Sequence, residues 1–353
     1  MSLTKIIKIN PSAPEEEYIS RAAKLIAAGG LVIIPTETVY GIAANALDQK
    51  ALDRLYEIKK RPKDKPFALL IADKSKVAEF ARDIPIAAYK LMHKFWPGPL
   101  TILLKAESGD KVGLRMPDNQ IALEIIESSG VPLACPSANI AESPAPVNLA
   151  QAIKDMNGLV DLAVDGGEAK LGVESTIVDL SVEPLKIVRS AAIKDEEVNA
   201  AVKSKTVLFV CTGNSCRSVM AEAYLKKLLE KQKRTDVEVI SAGIMILAGM
   251  GASTETREVL KNEGIDVGTH HSQRVTKEMV DRSDIILVME AMHEDRVLQL
   301  APEVKNRLFL LKEFARMGDS NLDIADPAGG SREFYEVTFQ TIKDAVERVS
   351  KII

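Results

Sequence analysis

The chain has 353 residues, of which 46% are hydrophobic; this length excludes one typical domain and allows two separate cores. A formal net charge of −4 excludes a general attraction to nucleic acid or to anionic membranes. Three cysteines, an odd number, argue against a disulfide framework and favour a reducing cytoplasm. No apolar run reaches the length of a membrane span, so we expect no membrane partner. The four histidines show no zinc-ligand spacing and are interpreted as ordinary surface or core residues.

The first half alternates helical and strand-like patterns and is predicted to be a mixed α/β domain with a sizeable sheet. A helix is predicted over residues 12–30, because apolar residues recur on one face and two glycines then stop it. Residues 31–34 predict a short buried strand. Further helices are predicted near 50–60, 75–82, 86–94 and 119–129, and further strands at 67–71, 100–104, 131–135, 162–164 and 176–180.

Four loop segments in this half combine proline or glycine with hydroxyl, amide or basic side chains. They are residues 35–41 (PTETVYG), 58–66 (IKKRPKDKP), 96–101 (WPGPLT) and 135–139 (CPSAN). The second segment places five basic residues within seven positions, and its two prolines keep it out of a helix, so these charges can converge on one anion. The anion that best fits five basic side chains is a triphosphate. For this segment alone, the alternative interpretation is a basic loop exposed to solvent.

Together these segments resemble the threonylcarbamoyl-AMP synthase family, also called YrdC-like, over roughly residues 15–192. Residues 172–177 (GVESTI) and Arg189 extend the resemblance. Members of the family combine L-threonine, bicarbonate and ATP into threonylcarbamoyl-adenylate and pyrophosphate, and tRNA-modification proteins receive the adenylate. The resemblance therefore implies an enzyme with ATP as a substrate and Mg²⁺ as the partner of the triphosphate, without metal ligands from protein side chains.

The same resemblance implies two sets of binding residues. The ATP-binding set is Lys59, Arg61, Lys65, Ser137, Asn139, Ser175 and Arg189. The threonine-binding set is Thr36, Thr38, Arg115 and Cys135, with the arginine on the carboxylate. Two other interpretations stay open. A basic concave sheet could grip double-stranded RNA by shape without chemistry. A carbamoyl transferase for metal-cofactor maturation shares this domain type but adds zinc-binding cysteine pairs, which this sequence lacks.

Residues 193–204 are polar and alanine-rich, and we interpret them as a linker or short helix between a domain at 1–192 and a domain at 205–353. Beyond them strands alternate regularly with helices. This alternation predicts a Rossmann-like domain with a four-stranded parallel sheet and ligands at the carboxyl ends of its strands. Strands are predicted at 206–210, 237–240, 284–289 and 307–310, and helices at 218–232, 254–263, 292–300 and 331–351.

Residues 211–218 (CTGNSCRS) follow the first of these strands and precede a helix. Backbone N–H groups in such a loop converge on one point, and the helix dipole adds positive character there. The bound anion would be a phosphate, with Cys211 beneath it as a thiolate. Far downstream, Asp326 and Pro327 precede the last helix. A carboxyl group on this rigid loop can protonate a leaving group and later activate water, and an ordinary helix cap is the alternative interpretation.

These features resemble the low-molecular-weight protein phosphatase family over residues 205–353. The resemblance implies that Cys211 is the nucleophile, that Arg217 clamps the phosphoryl oxygens, and that Ser218 lowers the pKa of the thiol. Asp326 is then the general acid and later the base, and no cofactor is needed. The remaining phosphate-loop residues are Thr212, Gly213, Asn214, which stiffens the loop, Ser215 and Cys216, the family's second cysteine, which can form a reversible disulfide with Cys211.

The substrate is expected to be a phosphorylated protein, with phosphoarginine favoured over phosphotyrosine. Tyrosine-directed members place a bulky aliphatic residue where Ser215 stands, whereas bacterial protein-arginine phosphatases carry a small hydroxyl residue there and share the Gly329-Gly330-Ser331 run. Ala328 departs from both subgroups, which normally show an aromatic residue at that position. The alternative is a domain that binds phosphorylated residues without activity. The leading interpretation of the whole chain is a bifunctional enzyme.

Overall fold

A computed structural model describes residues 3–140, 143–245 and 249–353. The chain divides into two units. One comprises the residues up to Ile84 together with Leu91–Ala201, and the other comprises Pro85–Lys90 together with Val202–Ile353. Within the described ranges, no helix is both long enough and apolar enough to cross a membrane.

Short strands and helices alternate along the chain up to residue 204. The strands are β1 (Lys5–Lys8), β2 (Val32–Ile34), β3 (Gly41–Asn45), β4 (Leu69–Leu70), β5 (Ala81–Arg82), β6 (Leu100–Ala106), β7 (Lys111–Arg115), β8 (Leu133–Ala134), β9 (Leu162–Asp165), β10 (Thr176–Asp179) and β11 (Lys186–Arg189). The helices are α1 (Glu16–Ala27), α2 (Gln49–Lys59), α3 (Val77–Phe80), α4 (Ile86–Phe95), α5 (Gln120–Ser129), α6 (Leu149–Met156) and α7 (Asp195–Val202), with a 3-10 turn at Lys74–Lys76.

In the described part of the first unit, the strands form one mixed sheet in the order β1-β9-β2-β3-β8-β4-β7-β6-β10-β11, and β5 pairs with β6. The β1–β9 and β6–β10 pairs are parallel, whereas the β2–β3 and β6–β7 pairs are antiparallel. Strand β2 is buried on both faces: Val32 and Ile34 enter one apolar cluster, and Ile33 enters another together with Leu31, which precedes the strand. The predicted mixed α/β class is confirmed.

Some predicted bounds were wrong for local reasons. The predicted helix at 12–30 begins only at Glu16, after Pro14, and ends at Ala27, before Gly29 takes a φ of +85°. The predicted strands at 67–71 and 131–135 contain only two paired residues each, in β4 and β8. Strands β1, β3, β5, β7 and β11 and helix α6 were not predicted, and β5 occupies the end of the predicted helix at 75–82. Strand β3 is built mostly from small residues that carry little strand preference of their own.

The second unit follows the predicted alternation of strands and helices. Its strands are β12 (Lys205–Cys211), β13 (Val237–Gly243), β14 (Ile285–Val288) and β15 (Leu308–Leu310). Its helices are α8 (Arg217–Lys231), α9 (Thr254–Asn262), α10 (Lys277–Arg282), α11 (Ala291–Leu300), α12 (Leu311–Phe314) and α13 (Arg332–Val349), with a 3-10 helix at Pro302–Arg307. Among the described residues the sheet order is β13-β12-β14-β15, and every neighbouring pair is parallel. The predicted four-stranded parallel sheet is confirmed.

The core of the second unit predicts how its stability responds to truncation. Leu208 lies on the central strand β12 and is fully buried in an apolar cluster with Val210, Ile286 and Val288. We expect Leu208→Ala to lower the free energy of unfolding by about 2–5 kcal/mol, because it leaves a cavity in a packed core. Urea denaturation followed by circular dichroism measures this change. The control is Val337→Ala on α13, where the side chain is 58% exposed and the expected effect is within about 0.5 kcal/mol. Equal effects of the two variants would contradict the assignment of this core.

Candidate active sites

One cavity in the first unit, of about 580 Å³, is lined by all eleven residues that the sequence predicts for ATP or threonine. They reach it from the β2–β3 loop, the end of α2 and the loop after it, the end of β7, the segment after β8, and the strands β10 and β11 with their flanking residues. A larger cavity, of about 860 Å³, is lined by parts of β1, α1 and the segment before β9 and contains none of them.

In one wall of the smaller cavity, Lys59 links the end of α2 to the segment after β8. It is the last residue of α2, and only 8% of its surface is exposed. Its Nζ donates to the Ser137 carbonyl at 2.8 Å, to the Asn139 carbonyl at 2.5 Å and to Asn139 Oδ1 at 3.2 Å. All three partners are neutral oxygens. Burial, followed by the charge of Arg61, therefore lowers the pKa of Lys59 to about 8.

The basic loop after α2 closes on itself. The chain turns at Lys60, whose φ of +47° ends the helix in a left-handed conformation. Arg61 then donates from Nε to the Lys65 carbonyl at 2.7 Å, and its guanidinium carbon lies 5.2 Å from the centre of the Phe67 ring. Lys63 departs from the predicted convergence, because its Nζ bonds Asp53 on α2 at 2.5 Å and the residue does not line the cavity. Four of the five basic residues therefore face the cavity.

A chain of hydrogen bonds orders the predicted threonine pocket. Arg115 Nη2 donates to Glu37 Oε1 at 2.8 Å and to Thr38 Oγ1 at 2.7 Å. The hydroxyl of Thr36 donates to the Val39 carbonyl at 2.6 Å, so it accepts from Thr38 at 2.8 Å. Glu37, 2% exposed, was not among the predicted residues, although it stands within the PTETVYG segment. It holds the arginine at the floor of the pocket.

The side chain of Cys135 packs closely against the backbone of Gly41. Burial raises the pKa of its thiol to about 12, so the group is a neutral thiol at physiological pH. A Cβ added to Gly41 would lie 2.4 Å from Cys135 Sγ, which requires glycine at the end of the PTETVYG segment. The backbone of β3 can therefore approach the segment after β8, and residues 41 and 137 form a bridge.

Ser175 and Arg189 form the opposite side of the cavity. Arg189 donates from Nε to the Ser175 carbonyl at 2.9 Å and from Nη1 to Glu174 Oε1 at 2.8 Å. The Ser175 hydroxyl lies 2.9 Å from that of Thr101. Thr101 and Glu174 line the cavity and lie in the segments 96–101 and 172–177, yet the sequence analysis assigned them no role.

In the second unit, the cysteine loop lies between β12 and α8. Cys211 Sγ is 2.9 Å from Ser218 Oγ and 3.3 Å from the backbone N of Asn214. The Asn214 amide donates to Ser218 Oγ at 3.0 Å and to Ser241 Oγ at 2.7 Å, which supports its left-handed φ of +51°. Because Ser218 accepts from Asn214, its own hydroxyl hydrogen is free to reach the sulfur.

The electrostatics of Cys211 combine opposing effects. Burial raises the pKa of its thiol, and hydrogen bonds from Ser218 and Asn214 and the charge of Arg217 act in the opposite direction. The hydrogen bond from Ser218 lowers the pKa of the thiol, while the net shift is upward. The three cysteines are all described and none is in a disulfide. Cys216 Sγ lies 3.5 Å from Ser253 Oγ and 3.5 Å from the Tyr335 hydroxyl.

Arg217 connects the loop to the predicted general acid. Its side chain is 1% exposed, and its Nη1 lies 2.8 Å from Glu290 Oε2 while its Nη2 lies 2.5 Å from Asp326 Oδ2. The other carboxylate oxygen of Asp326 accepts from the backbone N–H of Ala328 at 3.1 Å. The structure therefore brings Cys211, Arg217 and Asp326 into one site.

Two histidines also contact the loop, which sequence reasoning missed. His270 Nε2 lies 2.8 Å from the Asn214 carbonyl, and His293 Nε2 lies 3.0 Å from Thr212 Oγ1. Both were interpreted as ordinary core or surface residues because they lack metal-ligand spacing. Their distance in sequence from the loop left no signal that could have found them.

Fold and sites together define a chain of two α/β units, one with a basic, hydroxyl-rich cavity and one with a cysteine-containing anion loop. The family model described as telomere recombination, for Sua5, YciO and YrdC, matches residues 24–191. The family model described as low molecular weight phosphotyrosine protein phosphatase matches residues 206–353. The chain belongs to the first family in its N-terminal half and to the second in its C-terminal half.

Individual relatives agree with this division. The chain is 43% identical to the threonylcarbamoyl-AMP synthase of Pyrococcus abyssi over 53% of its own length and 58% of the relative. It is 36% identical to the putative threonylcarbamoyl-AMP synthase of Methanocaldococcus jannaschii over 54% of its own length and 94% of the relative. It is 39% identical to the protein-arginine-phosphatase of Geobacillus stearothermophilus over 41% of its own length and 93% of the relative.

A solved structure is similar to this chain in its fold. The crystal structure of P. abyssi Sua5 complexed with L-threonine is 28% identical, with a TM-score of 0.55, over 87% of this chain and 99% of that one. By sequence, the chain spans less than two thirds of the P. abyssi synthase it matches.

The depressed pKa of Lys59 predicts a pH dependence of stability. Because its folded pKa is about 8, below the usual 10.5, the unfolded chain binds more protons between these values, and stability rises with pH there. We expect wild type to gain up to about 1.4 kcal/mol per pH unit in this window relative to Lys59→Met. Urea denaturation at pH 8 and pH 10 measures the difference. Lys63→Met, which removes an exposed lysine, should keep the wild-type dependence. Parallel curves for wild type and Lys59→Met would show that Lys59 is not desolvated.

Proposed function

We propose that the first unit makes threonylcarbamoyl-AMP from L-threonine, bicarbonate and ATP and releases pyrophosphate. The observation that carries this proposal is the single cavity into which both predicted residue sets project. The likeness to threonylcarbamoyl-AMP synthases and to the L-threonine complex of P. abyssi Sua5 supports it. The adenylate would pass to tRNA-modification proteins.

In this proposal the cavity positions anions and supplies no covalent nucleophile. The threonine amine and bicarbonate form a carbamate and water, and the carbamate oxygen attacks the α-phosphorus of ATP while pyrophosphate leaves. Lys59, Arg61, Lys65 and Arg189 would surround the phosphates, where fixed charge stabilises the developing negative charge. An anion beside Lys59 would also favour its charged form, since it adds the opposite charge that the neutral oxygens lack.

Arg115 would hold the threonine carboxylate. Its Nη2 is committed to Glu37 and Thr38. Among the described residues Nη1 has no protein hydrogen-bond partner, so it can receive a carboxylate oxygen. The neighbouring Thr38 hydroxyl accepts from Arg115 and donates to Thr36, so its hydrogen already has a partner within the protein.

Mg²⁺ would enter with ATP. Among the lining residues the cavity has one carboxylate, that of Glu174, which is already paired with Arg189 at 2.8 Å. A divalent cation that is bound mainly through substrate phosphates fits such a lining. When bound, it would neutralise part of the charge on the leaving pyrophosphate.

Loss of either central cation should abolish synthesis. We expect Lys59→Ala and Arg61→Ala to eliminate threonine-dependent pyrophosphate release from ATP, because each removes a charge that faces the phosphates. A coupled pyrophosphate assay with and without L-threonine measures this. The matched control is Lys63→Ala in the same loop, which bonds Asp53 outside the cavity and should turn over like wild type. Unchanged turnover in the first two variants would place the site elsewhere.

We further propose that the second unit is a cysteine-dependent protein phosphatase. Cys211 Sγ would attack the phosphorus, forming an S–P bond as the leaving group departs with a proton from Asp326. Water, activated by the same carboxylate, would then cleave the S–P bond and release phosphate. A phosphoryl dianion would take the place of Asp326 at Arg217 Nη2, and Glu290 would keep Nη1 in position.

We propose phosphoarginine as the preferred substrate over phosphotyrosine. Ser215 offers a hydroxyl where a phenol ring would need an apolar contact. The turn after Asp326 carries Ala328 and two glycines, with Gly329 at a φ of +77°, and residues 327–331 include no aromatic residue. The likeness to the G. stearothermophilus protein-arginine-phosphatase supports the same choice.

Substrate preference tests this proposal. We expect kcat/KM to be higher for a phosphoarginine peptide than for the matched phosphotyrosine peptide, and Cys211→Ser to be inactive toward both. Ser215→Ile should lower kcat/KM for phosphoarginine about ten-fold or more, because it replaces a hydrogen-bonding group with an apolar one. Ser215→Thr keeps the hydroxyl and should retain the preference. Comparable or reversed ratios in wild type would refute the phosphoarginine assignment, and an active Cys211→Ser would refute the cysteine mechanism.

A further inference from the structure

A buried histidine contacts the phosphate loop from the first turn of α11. His293 is fully buried, and its Nδ1 accepts the backbone N–H of Glu290 at 3.0 Å. A neutral ring that accepts at Nδ1 carries its hydrogen on Nε2, so it donates that hydrogen to Thr212 Oγ1 at 3.0 Å. Burial, followed by the charge of Arg217, lowers the pKa of His293 to about 4, so the ring is neutral at physiological pH.

Thr212 links this ring to the arginine clamp. Its Oγ1 also accepts from Arg217 Nη2 at 3.1 Å, so two N–H donors occupy both lone pairs of the hydroxyl. Toward a bound phosphoryl group the hydroxyl can then act only as a donor. The same helical turn places Glu290 Oε2 2.8 Å from Arg217 Nη1. The start of α11 thus contacts the Arg217 guanidinium directly through Glu290 and indirectly through His293 and Thr212.

We infer that His293 is a positioning residue that orients the Thr212 hydroxyl and, through it, the Arg217 guanidinium for the phosphoryl group. The inference rests on the proposed phosphatase function of this unit. A neutral donor suits the place, because an imidazolium would repel the adjacent guanidinium. An aliphatic side chain would fill the volume but leave Arg217 as the one N–H donor that holds the Thr212 hydroxyl, and the Glu290 N–H would lose its acceptor.

The test compares variants that break and restore this contact in the full chain. Thr212→Val keeps the shape of the side chain and removes the hydroxyl, whereas Thr212→Ser keeps it. His293→Leu removes donor and acceptor, whereas His293→Gln can supply an amide oxygen and an N–H. The measurements are p-nitrophenyl phosphate turnover, the affinity for inorganic phosphate and the melting temperature of each variant.

We expect Thr212→Val and His293→Leu each to weaken inorganic phosphate binding about ten-fold or more, the scale of one lost buried hydrogen bond. Ser at 212 and Gln at 293 should restore binding to within about three-fold. The double variant Thr212→Val with His293→Leu should bind phosphate no more weakly than Thr212→Val alone, since the hydroxyl that His293 orients is already absent. Wild-type phosphate affinity in Thr212→Val at an unchanged melting temperature would overturn the inference.

Nuclear magnetic resonance gives a reading that does not depend on turnover. The ¹⁵N shifts of the His293 ring should report the Nε2–H tautomer, and that Nε2–H signal should move in Thr212→Val. An Nδ1–H tautomer would overturn the inference. Phosphate titrations followed by the same spectra test the His293 inference without any turnover. The phosphatase proposal has a separate test, and it fails if wild type and Cys211→Ser release phosphate from p-nitrophenyl phosphate equally slowly.

Discussion

Both sites are built around a cation that the fold removes from water. Lys59 keeps 8% of its surface exposed and Arg217 keeps 1%. Removing a charge from water costs several kcal/mol unless nearby oxygens compensate, so each cation determines what must surround it. The two sites meet this requirement differently. Lys59 is surrounded by neutral oxygens of the segment after β8, whereas Arg217 lies between the carboxylates of Glu290 and Asp326.

That difference determines how each site would accept an anion. Neutral oxygens replace water only in part, which is why the pKa of Lys59 falls to about 8, and an incoming phosphate adds the charge that is missing. Arg217 already has its counter-charges, so a phosphoryl dianion has to exchange with one of them. The side chain of Asp326 is 37% exposed and that of Glu290 is 23% exposed, so Asp326 is the carboxylate nearer to solvent. Its displacement would leave it beside the departing group, where the proposed chemistry needs it.

The sequence predicted the site residues that belong to loop motifs, and it did not predict those whose hydrogen-bond partners are distant in the chain. All eleven predicted residues of the first unit line one cavity. Most of them lie in the loop segments, and Lys59, Arg115 and Arg189 stand at the ends of α2, β7 and β11. Lys63 shows the limit within a motif, since the direction of its side chain follows from the backbone turn at Lys60 and from Asp53 on α2. Glu37 and His293 depend on partners 78 and 81 residues away, and no spacing in the sequence encodes such contacts. In the fold, apolar runs predicted the buried strands, while β3 depends on burial that only tertiary packing supplies.

The position of β12 in its sheet explains why these distant residues meet. It lies between β13 and β14, and parallel strands end at the same edge, so the loop after Cys211 has a strand end on either side. Helix α11 begins three residues after β14 ends and carries His293 in its first turn. The backbone N–H of Ile324 donates to the Met289 carbonyl at 2.7 Å, which brings the Asp326 segment to the same strand end. Glu290, His293 and Asp326, which surround Arg217 and Thr212 of the cysteine motif, are therefore brought there by the end of β14. Residues outside that motif can then tune how the loop holds a phosphoryl group while the motif itself stays unchanged.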